Sequence, residues 1–146
     1  MLFARQTSTI GAATGDGTAY QYIYDTADVN VGGCYNTGSG VLTIPSTSIY
    51  LFQAGIFLQN LGAAHTALSL YLSGLFNTNY TYSNPFSLCV GGTYAQQYSL
   101  IAGPSTPIIP AGSTITNNIS VTGGTKTIDL YGVAACYTYW ACYKVT

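Results

Sequence analysis

Chemistry has few places to start in this chain. His65 is the only histidine, and the acids are Asp16, Asp25, Asp28 and Asp129, with no glutamate. General acid–base work needs a titratable group set against a partner. His65 lies in a small-residue turn, Leu61-Gly62-Ala63-Ala64-His65, with no carboxylate close in sequence. It reads as a surface or capping histidine. Serine and threonine are abundant, but there is no Gly-x-Ser-x-Gly elbow and no second histidine to complete a triad. Gly15-Asp16-Gly17 lacks the lysine and the strand–helix setting of a phosphate loop. The expectation is a non-enzyme without a cofactor.

Binding chemistry has more candidates. Asp25-Thr26-Ala27-Asp28-Val29-Asn30 carries several oxygen-bearing side chains of the kind Ca²⁺ wants. Turn-forming Asx residues account for the same spacing. Cys34, Cys89, Cys136 and Cys142 have no CxxC spacing, and a lone histidine makes a zinc site a poor fit. Cys136 and Cys142 fall in one strand-like run, on one face but about 20 Å apart, too far to bridge each other. The cysteines read as small buried hydrophobes, with disulfides the other option. Asn79-Tyr80-Thr81 and Asn118-Ile119-Ser120 fit the glycosylation sequon. Tyr80, Tyr82 and Phe86 cluster in an Asn-rich stretch, read as a loop able to stack on a sugar or a protein, or else to pack over the end of the domain.

The 146 residues suit one domain, with about 68–70% of the unfolded surface buried on folding. Three basic and four acidic residues leave a net charge of −1, which gives no electrostatic footprint for nucleic acid or anionic membrane. No segment has the apolar length of a membrane span. So few charges protect poorly against self-association, and fourteen tyrosines favour protein–protein contact. Met1-Leu2-Phe3-Ala4-Arg5 puts its charge after the apolar residues, and no secretory core follows, so synthesis in a cytoplasm is expected.

The strongest structural signal is Thr37 to Gln59. Val41 to Ile44 and Ile49 to Gln59 read as strands split by Pro45, which cannot donate to a ladder. In the second run Tyr50, Phe52, Ala54, Ile56 and Leu58 share one face. The opposite face, with Ile49, Leu51 and Phe57, is also rich in apolar residues and needs a second cover. Further strands are expected at Ala19–Asp25, Thr66–Ser73, Phe86–Val90, Tyr94–Ile101, Thr114–Val121, Thr127–Val133 and Ala135–Val145. Asp28–Gly33 and Asn77–Pro85 are expected as turn and loop, and Gly123-Gly124 as a hairpin turn. Short strands without a helical pattern predict an all-β antiparallel sandwich, a jelly roll, over 19–146. Residues 1–18 read as an extended arm or a disordered tail, with Leu2, Phe3 and Ile10 as anchors of a docking arm.

Thr37-Gly38, Val41, Thr43, Pro45 and Tyr50-Leu51-Phe52, preceded by Asn30 to Asn36, resemble the signature of the complement-one-q and tumour-necrosis-factor superfamily. Leu42 stands where an aromatic is usual there, and Ser48 where a glycine is. The resemblance implies a jelly roll assembled as a homotrimer. Ile49, Leu51, Phe57, Tyr137, Tyr139, Trp140 and Tyr143 would then lie at the trimer contact. Phage structural proteins use domains of this appearance. The expected function is therefore a non-enzymatic viral structural protein, a capsid decoration (cement) or head-surface trimer, whose partners are itself and the major capsid protein or another virion protein. The alternative is the receptor-binding tip of a fibre or spike that recognises a host glycan or protein.

Overall fold

The alternation in residues 49–59 becomes the centre of the molecule. The computed structural model describes residues 1–62, 64–74, 80–85, 94–102, 108–134 and 138–145, with the backbone alone for 80–85 and 94–102. In chain order the strands are β1 (Leu2–Arg5), β2 (Ile10–Thr14), β3 (Tyr20–Gln21), β4 (Thr26–Asn30), β5 (Tyr35–Asn36), β6 (Val41–Thr43), β7 (Tyr50–Gln59), β8 (Ala67–Ser73), β9 (Tyr80–Pro85), β10 (Tyr94–Ala102), β11 (Thr114–Thr122), β12 (Ile128–Leu130) and β13 (Tyr139–Lys144). One 3₁₀ turn, Val31–Gly33, is the only helical element among the described residues.

The first sheet runs β2-β12-β7-β13-β1-β4, with β10 on the free edge of β7. The second runs β5-β6-β11-β8-β9, with β3 also against β11. All the pairings are antiparallel, and the architecture is a jelly roll. β7 is paired along both edges. β10 follows it from Leu58 to Tyr50, and the other edge is shared by β13, opposite Tyr50–Gly55, and β12, opposite Leu58–Gln59.

The inner face of β7 (Tyr50, Phe52, Ala54, Ile56, Leu58) is no more than 2% exposed. It meets Leu68, Leu70 and Leu72 of β8 and Ile115, Ile119 and Val121 of β11 in one core. Of the strand expected at Ala19–Asp25 only Tyr20–Gln21 is one, but Tyr22 and Tyr24 are both fully buried in this core. Tyr22 stacks on Tyr24 at 5.2 Å, and Tyr24 stacks on Trp140 at 6.1 Å. The Tyr24 and Tyr35 phenols are hydrogen-bonded, as buried polar groups usually are. Asn117 Nδ2 donates to Tyr24 Oη at 2.8 Å, and the Tyr24 amide donates to Tyr35 Oη at 2.8 Å. Burial pushes the Tyr35 phenol up to about 12, against the lowering effect of the hydrogen bond it accepts from the Tyr24 amide.

Several expectations change. Residues 1–18 are neither a free arm nor a disordered tail. Leu2–Arg5 pairs with β13 and β4, Ile10–Thr14 pairs with β12, and Leu2 and Ala4 are fully buried. The reason is visible in the alternation: Leu2 and Ala4 face the core while Phe3 and Arg5 face out. Of the proposed anchors, Leu2 belongs to this chain's own core, and Ile10 packs partly against it. Of the turn expected at Asp28–Gly33, Val31–Gly33 is one, but Asp28–Asn30 belong to the strand Thr26–Asn30, which pairs with the outer edge of β1. Tyr80–Pro85 is a strand on the edge of β8, so Tyr80 and Tyr82 do not lie in a loop. Phe86 and the strand expected at 86–90 lie outside the described residues. Gly123-Gly124 leads from β11 in one sheet to β12 in the other, so it is no hairpin turn.

Leu2→Ala removes a fully buried side chain and is expected to cost about 2–5 kcal/mol. Chemical denaturation of the two chains side by side checks this. An unchanged midpoint would restore the dispensable arm.

Candidate functional site

Because a strand alternates, each inner residue of β7 implies an outer one. Leu51, Gln53, Gly55 and Phe57 alternate along the outer face of β7, where Tyr143 lies opposite Leu51, Ala141 opposite Gln53 and Tyr139 opposite Gly55. One strand further on, Phe3 pairs with Ala141 and Arg5 with Tyr139. Leu51, Phe57, Tyr139, Tyr143, Phe3 and Ile49 are all half-buried on this surface.

The rings are fitted to each other. Phe3 stacks on Tyr139 with centroids 5.5 Å apart and planes 21° apart. Phe57 lies 5.3 Å from Tyr131, whose amide donates to the Phe57 carbonyl at 2.9 Å. Gly55 has no side chain, and the Tyr139 ring occupies that place; a Cβ at Gly55 would run into it. Burial pushes the Tyr139 hydroxyl above its usual range, with nearby Tyr143 adding to the effect. The charge on this face is paired: Arg5 Nε donates to Asp28 Oδ2 at 2.6 Å, Arg5 Nη2 to Asp28 Oδ1 at 3.2 Å, and Arg5 Nη1 to the Ala134 carbonyl at 2.9 Å. The result is a broad aromatic surface with its one described ion pair at the margin.

Trp140 does not belong to it. Its neighbours along β13 face out, so its own side chain faces in and is fully buried against Tyr24, Tyr35 and Phe52. Tyr137 lies outside the described residues. Phe3 and Tyr131 complete the surface and had not been read as part of it. The Leu2–Arg5 alternation was a signal for Phe3, whereas Tyr131 arrives only through the β7–β12 pairing.

The remaining chemical candidates have structural partners. Asp25 accepts from the Thr7 and Ser8 amides at 2.9 and 3.1 Å, from Thr7 Oγ1 at 2.9 Å and from Thr26 Oγ1 at 3.1 Å. Burial works against its charge, but these bonds outweigh it and hold the carboxyl below the ordinary aspartate range. Asp28 is taken by Arg5, so the pair expected to offer oxygens to a cation is already engaged by donors of the chain. Asp129 accepts from the Ala12 amide at 2.8 Å and from Asn60 Nδ2 at 2.6 Å, and Asp16 caps the Thr18 amide at 2.9 Å. Ala12 and Asn60 both have positive φ, 49° and 63°, which the carboxylate between them helps to hold. Among the described residues no group of three or more His, Cys, Asp or Glu could hold a metal ion.

His65 is buried, not a surface residue, although it does cap a turn: the Gly62 amide donates to its Nδ1 at 2.9 Å. Cys34 and Cys142 are buried free thiols, and burial pushes Cys142 up to about 12. Asn118 of the second sequon is 8% exposed, and its amide nitrogen already donates to Ser73 Oγ and Thr116 Oγ1.

No protein-family model matches the sequence, and no curated protein does. Solved structures do. The globular domain of zebrafish complement 1qA protein matches with a TM-score of 0.59 at 9% identity, over 99% of this chain and 96% of that one. Eiger TNF from S. frugiperda matches with a TM-score of 0.60 at 10% identity, over 99% and 90%. At such identity the likeness is one of fold, and it is the fold that residues 30–59 resembled.

Two outcomes are expected. Gly55→Ala forces Tyr139 off β7 and should cost about 1–3 kcal/mol, with the Phe3–Tyr139 stack broken; thermal melting and the aromatic circular dichroism report both. For Asp25 the folded carboxyl lies below its ordinary value of 3.8, so its stabilisation is complete above that value and is lost as pH falls through the folded one. Amide exchange in residues 6–8 should therefore quicken in acid sooner than in β7. Asp25→Asn should remove that difference.

Proposed function

We propose that this chain is a non-enzymatic structural and binding protein that assembles as a homotrimer through the outer face of its first sheet, and that it sits on the capsid surface of a bacteriophage. The observation that carries the assembly is the aromatic face of Leu51, Phe57, Tyr139, Tyr143 and Phe3. Its half-buried rings are fitted around Gly55, and its charge is confined to the paired Arg5 and Asp28. A sheet face this apolar favours a second layer, and these side chains suit the desolvated centre of a contact. The fold shared with complement 1qA and Eiger TNF supports the reading as an analogy.

The virion setting rests on composition: three basic and four acidic residues beside fourteen tyrosines suit a surface whose neighbours are proteins. An arm is not the means of docking in this reading, because residues 2–5 and 10–14 are strands of the first sheet. Capsid binding falls instead to the exposed body of the trimer.

Light scattering should give three copies for the wild type. Phe57→Asp puts a charge into the contact and should loosen assembly by at least about 2 kcal/mol, roughly thirtyfold, while leaving a folded monomer. A wild-type monomer would refute the trimer. Binding to purified phage capsids, with host-cell adsorption as the comparison, separates a capsid protein from the tip of a fibre: adsorption to cells without capsid binding replaces the first reading with the second.

A further inference from the structure

We infer that His65 is an acid-sensitive clasp on three loops at one end of the sandwich. The loops are 15–19 between β2 and β3, 60–66 between β7 and β8, and 123–127 between β11 and β12. The imidazole is 6% exposed, and its described hydrogen-bond partners are two main-chain groups. The Gly62 amide can only donate, so Nδ1 accepts and carries no proton. The Thr125 carbonyl can only accept, so Nε2, 3.2 Å away, carries the proton. The surroundings thus select one neutral tautomer.

The ring is also gripped from its sides. Gly15 has φ of 137°, a conformation that favours glycine, and a Cβ there would approach Nε2 to 3.0 Å. A Cβ on Gly124 would run into the ring itself. The Gly124 amide donates to the Gly15 carbonyl at 3.0 Å, and the Thr66 amide donates to the Thr122 carbonyl at 2.9 Å, so the three loops are laced around the imidazole.

A second proton must go on Nδ1, where the Gly62 N–H already points. The imidazolium then sets donor against donor and loses the bond. The charged groups of the elements around it offer no ready counter-ion. Asp16, next to Gly15, is engaged by Thr18, and Asp129 on β12 is engaged by Ala12 and Asn60. Lys126, beside Thr125, is exposed and of the same sign as the imidazolium. The loop 60–66 carries no other charged residue. Histidine is the side chain most readily charged by mild acid, so the clasp is closed while His65 is neutral and opens when acid adds the second proton. The three loops are released while the sandwich stays folded.

The test is nuclear magnetic resonance on the full chain from pH 8 to 5. The His65 ring nitrogens should report the Nε2–H form at high pH. On acidification, exchange of the Gly62 and Gly124 amides, corrected for intrinsic rates, should accelerate at least about tenfold while the β7 and β8 amides hold. Gln has an amide oxygen to accept and an N–H to donate, so His65→Gln should keep the loops closed and abolish the pH dependence. Flat protection in the wild type, or the opposite tautomer, overturns the inference. So does the same acceleration in His65→Gln. If that variant does not fold, the wild-type titration decides the matter by itself.

Discussion

β7 is hydrogen-bonded along both edges, by β10 on one side and by β13 and β12 on the other, and most of the structure follows from that double pairing. A ten-residue strand with both edges occupied cannot slip in register without turning its whole apolar set to the wrong face. Its inner side chains fix the level of the core, where Phe52 stacks on Trp140 at 6.5 Å and Trp140 on Tyr24. Its outer side chains fix the aromatic surface through the same register, so the core and the candidate assembly face are two sides of one constraint.

The chain's few charges are used with economy. Three of its four carboxylates hold the N-terminal fourteen residues: Asp28 through Arg5, Asp25 through the Thr7 and Ser8 amides, and Asp129 through Ala12. Those residues add two short strands to the first sheet but supply little apolar surface beyond Leu2, Ala4 and Ala13. Charge-assisted bonds to main-chain amides supply the remaining hold, and they are among the stronger hydrogen bonds available to a protein. Where they gather, at the turn of residues 6–9, the strand is interrupted and the backbone needs acceptors that the ladder does not provide.

His65 plays the corresponding part at its own site, with main-chain groups as its described partners. Asp25, Asp28, Asp129 and His65 are each bonded to backbone groups, to neighbouring side chains or in an ion pair, and so hold loops and strands in place.

The sequence by itself determined the fold class and much of the core. In Tyr50 to Leu58, Leu68 to Leu72 and Tyr20 to Tyr24 large apolar or aromatic residues recur at nearly every second position, a local period that a reader of the chain can count. It also indicated that β7 has two apolar faces, with Leu51 and Phe57 on the outer one. Only the tertiary structure decided which residues of β13 face which way, because Tyr139, Trp140 and Tyr143 are all aromatic and their order carries no polarity signal. Only the fold decided that Leu2–Arg5 and Thr26–Asn30 are strands, since segments of four and five residues gain their stability from partners far off in sequence. The clamp on Asp25 and the clasp on His65 were invisible for the same reason. Their partners are mostly backbone amides and carbonyls, which nearly every residue possesses and which only long-range packing brings within reach.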